Sequence, residues 1–309
     1  MPTILGQNQY GKAGIRVVRI VRDGATHHIK DLNVSVSLSG DLDEVHYSGS
    51  NANVLPTDTT KNTVFAFAKE HGVDSAEQFG IHLARHFVTS QPAIHRARIR
   101  IEEYAWERIE SSAATDSRRS GAAATAKHSF VRKGGETRLS QVSHDGERWQ
   151  VISGLKDLTV LNSTDSEFWG YVKDGYTTLK EAYDRILATD VRARWRFNWT
   201  DDEQPAPDWE RSYEQVRTHL LHAFAETYSL SLQQTLYQMG SRVIDGRSEI
   251  DEIRFSLPNN HHFLVDLEPF GLKNDNEVYF AADRPYGLIE ATVLRDGAQP
   301  EIPVDLTNL

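Results

Sequence analysis

One stretch of this chain reads Glu252-Ile253-Arg254-Phe255-Ser256-Leu257-Pro258-Asn259-Asn260-His261-His262-Phe263-Leu264-Val265-Asp266-Leu267. Both ends predict strands, and Pro258 followed by two Asn residues predicts a turn between them. Because side chains alternate along a strand, Asn259 and His261 share one face and His262 points the opposite way. An amide beside an imidazole can hold a small polar molecule and move protons. The alternative is a polar turn carrying an ordinary surface histidine.

The bulk composition predicts a globular protein of about two domains. The chain has 309 residues, 39% of them hydrophobic and 25% charged. The net charge, 34 − 44 = −10, argues against a nucleic-acid surface, although it allows a local basic pocket for an anion. The absence of cysteine excludes disulfides, thiolate metal sites and cysteine nucleophiles.

Targeting signals are not found in the sequence. The first residues lack a basic segment followed by an apolar core, and no run approaches the roughly 18 apolar residues that a membrane helix needs. The last residues do not form a peroxisomal address. We therefore expect a cytoplasmic protein without a membrane partner.

The first half of the chain predicts strands, then helices, then strands. Strands are expected at residues 15–21, 29–38, 93–106 and 129–132, with extended structure at 41–54 and a mobile loop at 111–127. Helices are expected at 64–70 and after the capping residues Asp74 and Ser75. Arg96, Arg98 and Arg100 lie on the strand face opposite Ala97, Ile99 and Ile101.

The second half repeats this order of elements. Strands are expected at 138–142, 149–161 and 191–198, before the pair described above. Helices are expected after Thr178, after Asp208 and after Ser231. We place the boundary at Gly134-Gly135, giving units 1–134 and 135–309. The fold class is α+β, with two tandem units of antiparallel sheet and helices on one face. Several such sheets could line a wet channel.

A helix start in the second half offers a seat for an anion. The capping box at Ser231 places Leu232 and Gln233 in the first helical turn, where N–H groups lack partners. Arg185, on the predicted helix after Thr178, could grip a planar edge with two parallel hydrogen bonds. Phe168 offers a flat apolar surface. The alternatives are a surface cation, a core aromatic and a helix surface amide.

Three residues of the first half are also candidates. Thr57 and Asp58 lie at a predicted helix start, where capping is their expected role. Lys12 ends a Gly6-to-Lys12 pattern with P-loop spacing. Ala13 stands where Ser or Thr should hold magnesium, and no strand precedes the pattern, so we reject nucleotide binding. Lys12 is either a solvated charge or an amine delivered to a site.

Cofactor motifs are missing from the sequence. It contains no HExxH, GxSxG or GxGxxG pattern, and its adjacent histidines point to opposite strand faces. We therefore expect neither a metal nor an organic cofactor.

Several blocks resemble the uricase (urate oxidase) family in the same order along nearly the whole chain. They are Tyr10-Gly11-Lys12, Thr57 to Thr63, Leu158 to Tyr171, Tyr176 to Glu181, Asp184 to Leu187, and Ser256-Leu257-Pro258-Asn259. Leu232 and Asn260 depart mildly from the family pattern, which commonly has a small branched residue and Lys there.

The resemblance implies paired tunnelling-fold units that assemble as a homotetramer around a tunnel, with sites between subunits. It implies oxidation of urate by O2 and water to 5-hydroxyisourate and H2O2 without a cofactor. The family's charge relay falls on Lys12, Thr57 and His261. Its urate contacts fall on Thr57, Asp58, Phe168, Arg185, Leu232, Gln233 and Asn259. The rival functions are a pterin- or purine-acting tunnelling-fold enzyme and a non-catalytic purine-binding protein.

Overall fold

The computed structural model describes residues 3–24, 26–109 and 128–304. The chain divides into two compact units, Met1–Ser153 with Trp199–Trp209 and Gly154–Asn198 with Glu210–Leu309. The loop predicted at 111–127 lies outside the described residues. The boundary predicted at Gly134-Gly135 stays a prediction.

The first unit consists of an antiparallel sheet with two long helices. The elements are β1 (Tyr10–Asp23), β2 (Thr26–Gly40), α1 (Asp43–Tyr47), α2 (Thr57–Glu70), α3 (Ala76–Ser90), β3 (Ile94–Tyr104), β4 (Trp106–Arg108), β5 (Phe130–Arg132) and β6 (Thr137–His144). The strands are paired in the order β1-β2-β3-β6, and β4 pairs with β5 in a separate two-stranded ribbon.

The core of the first unit lies between α3 and one face of the sheet. The predicted alternation in β3 is confirmed, since Ala97, Ile99 and Ile101 are buried. They share this core with the buried residues Phe79, Leu83 and Phe87 of α3. Ser75 caps α3, its hydroxyl accepting a hydrogen bond from the Gln78 N–H at 3.0 Å. The helix therefore begins after Ser75, one of the two predicted capping residues.

Two predictions for the first unit are wrong. The segment expected to be extended contains α1. Neither Thr57 nor Asp58 caps α2, because Pro56 occupies the N-cap position and makes no side-chain cap bond. Pro56 has extended dihedral angles (φ −55°, ψ 137°), so the helix begins one residue earlier than a Thr57 cap requires. Thr57 is the first helical residue, and its side chain is not committed to that cap.

The second unit repeats the same order of elements. The elements are β7 (Trp149–Asn162), whose first residues belong to the first unit, β8 (Leu187–Phe197), α4 (Trp209–Glu226), α5 (Leu232–Gly246), β9 (Ile250–Leu264), a 3-10 turn (Glu268–Phe270) and β10 (Tyr279–Leu294). Strand β9 pairs antiparallel with both β8 and β10, and the strand order is β7-β8-β9-β10. Helix α5 packs on β9 and β10. The predicted α+β class with tandem units is confirmed.

The turn predicted at Pro258 is wrong, because β9 runs through it without interruption. In the register between β9 and β10, Leu257, Pro258 and Asn259 lie opposite Ile289, Leu288 and Gly287, respectively. Asn259 also faces Thr189 of β8. Pairing with the neighbouring strands outweighs the local turn preference of the Pro-Asn-Asn sequence. Asn259 and His261 therefore lie within a strand. The strand predicted to follow the turn is the last part of β9 itself, and β10 is the strand that pairs with it.

The helix predicted after Thr178 is also absent from the described chain between β7 and β8. Residues 178–186 form bends and one isolated bridge instead. Ala182 exchanges two backbone hydrogen bonds with Phe168, at 2.8 and 2.9 Å. The Arg185 N–H donates to the Ser166 carbonyl at 2.9 Å. These pairings use the backbone groups that a helix would need.

Within the described residues, no helix is both long enough and apolar enough to cross a membrane.

Candidate active site

A cavity of about 810 Å3 opens in the second unit. Its volume is within the range usual for small-molecule sites. The loop between β7 and β8, the start of α5 and the far end of β9 supply its walls. The lining includes six of the predicted site residues, namely Phe168, Arg185, Leu232, Gln233, Asn259 and His261.

Arg185 is held in the cavity wall by Ser166. Its Nε donates to the Ser166 Oγ at 3.1 Å, and its backbone N–H donates to the Ser166 carbonyl. The two terminal Nη groups can therefore serve a ligand. Burial lowers the pKa of Arg185. Because a guanidinium stays charged in proteins, this partly desolvated cation favours an anion in the cavity.

Phe168 gives the cavity a planar wall. The ring stacks on Tyr171, with ring centroids 5.0 Å apart and an interplanar angle of 15°. The Arg185 Cζ lies 5.2 Å from the Phe168 ring centroid. The paired backbone of Ala182 fixes the main chain of Phe168. A flat ligand would meet an aromatic surface next to a cation.

The start of α5 supplies backbone donors and an amide. Ser231 is the predicted N-cap, and its hydroxyl accepts from the Gln234 N–H at 3.1 Å; the Gln234 side chain accepts from the Leu230 N–H at 2.8 Å instead of closing the capping box on Ser231. Leu232 is buried, whereas the Gln233 side chain is exposed. The N–H groups of a first helical turn have no partner within the helix and carry the positive end of its dipole. This end of the helix thus suits a carbonyl oxygen or an anionic nitrogen.

Asn259 and His261 lie two residues apart on β9, and both are half-buried. Burial lowers the pKa of His261, with smaller contributions in the same direction from Arg185 and His262. The neutral imidazole is therefore favoured near neutral pH and can accept a proton. An amide and a proton acceptor line the same cavity.

Lys12, Thr57 and Asp58 lie in the first unit. Lys12 is on β1, next to Gly11, where an added Cβ would meet the Val36 carbonyl oxygen at 1.9 Å. Only glycine allows this close approach of the two strands beside Lys12. Asp58 binds Lys61 and Asn62; the hydrogen bond from Lys61 is the largest cause of its lowered pKa, and Lys12 contributes a smaller electrostatic part. Lys12 is thus within electrostatic reach of Asp58, and the half-buried Thr57 immediately precedes Asp58 on α2.

No cluster of three or more His, Asp or Glu side chains that could hold a metal ion occurs in residues 3–24, 26–109 and 128–304.

Comparison with known proteins identifies the family of the chain that carries this cavity. The sequence model described as Uricase matches residues 8–143 and 151–290, so each half of the chain carries a match. The chain belongs to the uricase family. The uricase of Arthrobacter globiformis is 48% identical over 97% of this chain and 93% of its own length. The uricase of Emericella nidulans is 38% identical over 93% of this chain and 96% of its own length.

Solved uricase structures share the fold. The crystal structure of the Arthrobacter globiformis uricase superposes with a TM-score of 0.89, at 47% identity, covering 98% of this chain and 99% of that chain. A uricase from Bacillus fastidious, 23% identical, superposes with a TM-score of 0.78 and supports the fold alone. The fold of this chain is therefore that of the solved uricases.

Sequence reasoning missed Ser166, which accepts two hydrogen bonds from Arg185 in the cavity wall. The residue is 1% exposed, and its neighbours along the chain are ordinary loop-forming residues. The signal was present only as part of the block that resembles the family. The sequence pattern predicts a helix at Arg185, so it does not predict the contact of this residue with Ser166 in the loop.

Proposed function

We propose that this chain oxidises urate with O2 and water to 5-hydroxyisourate and H2O2. One urate, one O2 and one water give one 5-hydroxyisourate and one peroxide, so urate loses two electrons and O2 gains them. The observation that carries the proposal is the cavity in the second unit, whose planar wall, cation and helix start occur together in a chain of the uricase family.

Urate is a flat, electron-rich purine anion, and the lining suits each of these properties. Stacking on Phe168 contributes about 0.5–1.5 kcal/mol beyond the area buried. Arg185 and Gln233 grip the edges of the purine, and the Leu232 N–H at the start of α5 takes a carbonyl or ring nitrogen. The partial burial of Arg185 supports the binding of an anion rather than of a neutral purine.

The reaction also requires residues that bind O2 and water next to the purine, and residues that transfer protons. Asn259 and Thr57 hold O2, and then water, above the ring. Lys12 lowers the cost of charge on the Thr57 hydroxyl, and His261 passes protons. The lowered pKa of His261 supports this role, because the imidazole is available as an acceptor near neutral pH. Asp58 contacts urate beside Thr57.

The chain works as a homotetramer with its sites at subunit interfaces. Lys12, Thr57 and Asp58 belong to the first unit, whereas the cavity residues belong to the second. In this proposal the two groups that form one site come from different copies of the chain. The solved uricase structure with the same fold supports the uricase family as the basis for this proposed assembly.

No metal and no organic cofactor takes part. A deprotonated purine is itself a good reductant, so the protein's task is to position, to exclude bulk water and to move protons. The cytoplasmic location expected from the sequence stays a prediction.

The test is the ultraviolet absorbance of urate in metal-free buffer. Loss of absorbance with formation of peroxide supports the oxidase. Binding of urate without loss of absorbance would instead indicate a purine-binding protein.

A further inference from the structure

We propose that Ser166 is a positioning residue for substrate binding, which acts by orienting Arg185. This inference rests on the proposed function, because it concerns how the same cavity grips a purine. Ser166 does not need to touch the ligand to act in this way.

The bond from Arg185 to Ser166 restricts the guanidinium at its Nε. Arg185 lies in a loop without regular secondary structure, and its long side chain loses rotamer freedom when it binds a ligand. The Ser166 hydroxyl accepts from Nε at 3.1 Å, while the Ser166 carbonyl accepts from the Arg185 backbone at 2.9 Å. Ser166 thus restrains both the backbone and the side chain of Arg185. Part of the conformational entropy that Arg185 would lose on binding a ligand is therefore already lost in the free protein.

Ser166 is itself anchored to the segment that leads into α5. It forms a parallel bridge with Ser229, which consists of two backbone hydrogen bonds made by the neighbours of Ser166: the Ser229 N–H donates to the Asp165 carbonyl at 2.9 Å, and the Glu167 N–H donates to the Ser229 carbonyl at 2.7 Å. Ser166 and Ser229 are almost completely buried. The anchor is therefore rigid rather than a surface contact.

Buried hydroxyl groups continue this anchor to the helix start. The Thr235 Oγ1 donates to the Ser229 Oγ at 2.8 Å, and the Ser229 hydroxyl donates to the carbonyl of the N-cap residue Ser231 at 3.1 Å. Gln233 follows Ser231 by two residues. Ser166 therefore fixes the position of Arg185 relative to the helix start that carries Gln233. In the proposed function, Arg185 and Gln233 are the two side chains that bind the edges of the purine.

The test is a double-mutant cycle between Ser166 and Arg185, read as the Kd of xanthine. Xanthine is a suitable probe because it keeps the purine and two of the carbonyl groups of urate. Ser166→Ala should weaken xanthine binding roughly tenfold, the size expected for losing one hydrogen bond to a charged group. The Arg185→Lys variant has no guanidinium Nε–H that could donate to Ser166. In this background, Ser166→Ala should therefore change the Kd less than about twofold.

Thr164→Ala is the matched control. Thr164 lies in the same loop, and its hydroxyl donates to the exposed Asp184 carboxylate at 2.9 Å. We expect this variant to bind xanthine as the wild type does. If Ser166→Ala does not fold, Ser166→Cys keeps the volume and replaces the hydroxyl with a poor acceptor.

Kinetics separate positioning from a structural role. Ser166→Ala should raise the KM for urate about as much as the Kd for xanthine, with a smaller change in kcat. Wild-type binding by Ser166→Ala, or equal weakening in the wild-type and Arg185→Lys backgrounds, would overturn the proposal. Failure of the wild type to oxidise urate would contradict the proposed function, whereas the coupling between Ser166 and Arg185 is still read from xanthine binding.

Discussion

Replacing Arg185 with Lys tests whether the cavity grips its ligand through a planar cation. Arg185 lies beside Phe168, with Cζ 5.2 Å from the ring centroid, and its Nε is held by Ser166. The Nη groups can therefore make two parallel hydrogen bonds in a fixed plane. A Lys ammonium keeps the charge but loses the fork and the Nε contact.

The magnitude follows from the hydrogen bonds lost. A hydrogen bond to a charged group contributes about 1.5–3 kcal/mol, which corresponds to roughly tenfold to a hundredfold in affinity. Arg185 is only partly buried, and water that enters the cavity would screen the loss towards the lower end of this range. We therefore expect the KM for urate to rise by about tenfold or more in Arg185→Lys.

The assay is the loss of urate absorbance over a range of urate concentrations. Arg242→Lys is a control, because Arg242 pairs with Glu226 and lines a separate surface hollow of the second unit. It should leave KM and kcat unchanged. Wild-type values of both constants in Arg185→Lys would refute the reasoning and remove Arg185 from the site.

Further predictions concern metals, pH and the oxygen side of the site. Activity should survive exhaustive chelation, and complete loss that one added metal restores would show the cofactor-free mechanism to be wrong. Burial lowers the pKa of His82 and of His86, so the stability that they contribute is present above their unfolded pKa of about 6.5 and is lost as the pH falls towards their folded pKa values. The melting temperature should therefore fall on acidification from about pH 7.5 to about pH 5.5, and less in His82→Gln than in the wild type; an equal fall in both proteins would exclude His82 as a cause. Thr57→Val should lower kcat by roughly a hundredfold, the size expected for losing a group that takes part in proton transfer, while urate binding weakens far less; a kcat close to that of the wild type would remove the Thr57 hydroxyl from the relay.

The sequence predicted best those features that depend on local hydrogen bonds. The capping residues Ser75 and Ser231 act within one helical turn, so their pattern identifies α3 and α5 without knowledge of the rest of the chain. The alternating burial of Ala97, Ile99 and Ile101 was similarly legible, because a strand with one buried face imposes a period of two.

Features that depend on distant partners were not predicted. Pro258 and the two Asn residues after it favour a turn locally, yet β8 and β10 extend the strand through them. The capping box at Thr178 is present in the sequence but unused, since Ala182 pairs with Phe168. Both errors fall on walls of the cavity, where tertiary contacts override local preference.

Complementation between two variants tests most directly the claim that one copy's first unit completes another copy's cavity. Lys12→Ala should lack the ammonium of the relay, and His261→Ala should lack its imidazole, so each variant alone should be inactive. The two proteins are mixed after reversible dissociation, and mass spectrometry verifies that hybrid oligomers form. The account predicts that part of the urate oxidase activity returns, because some sites then contain neither substitution. Verified hybrids that stay inactive, or an isolated monomer that oxidises urate, would contradict it.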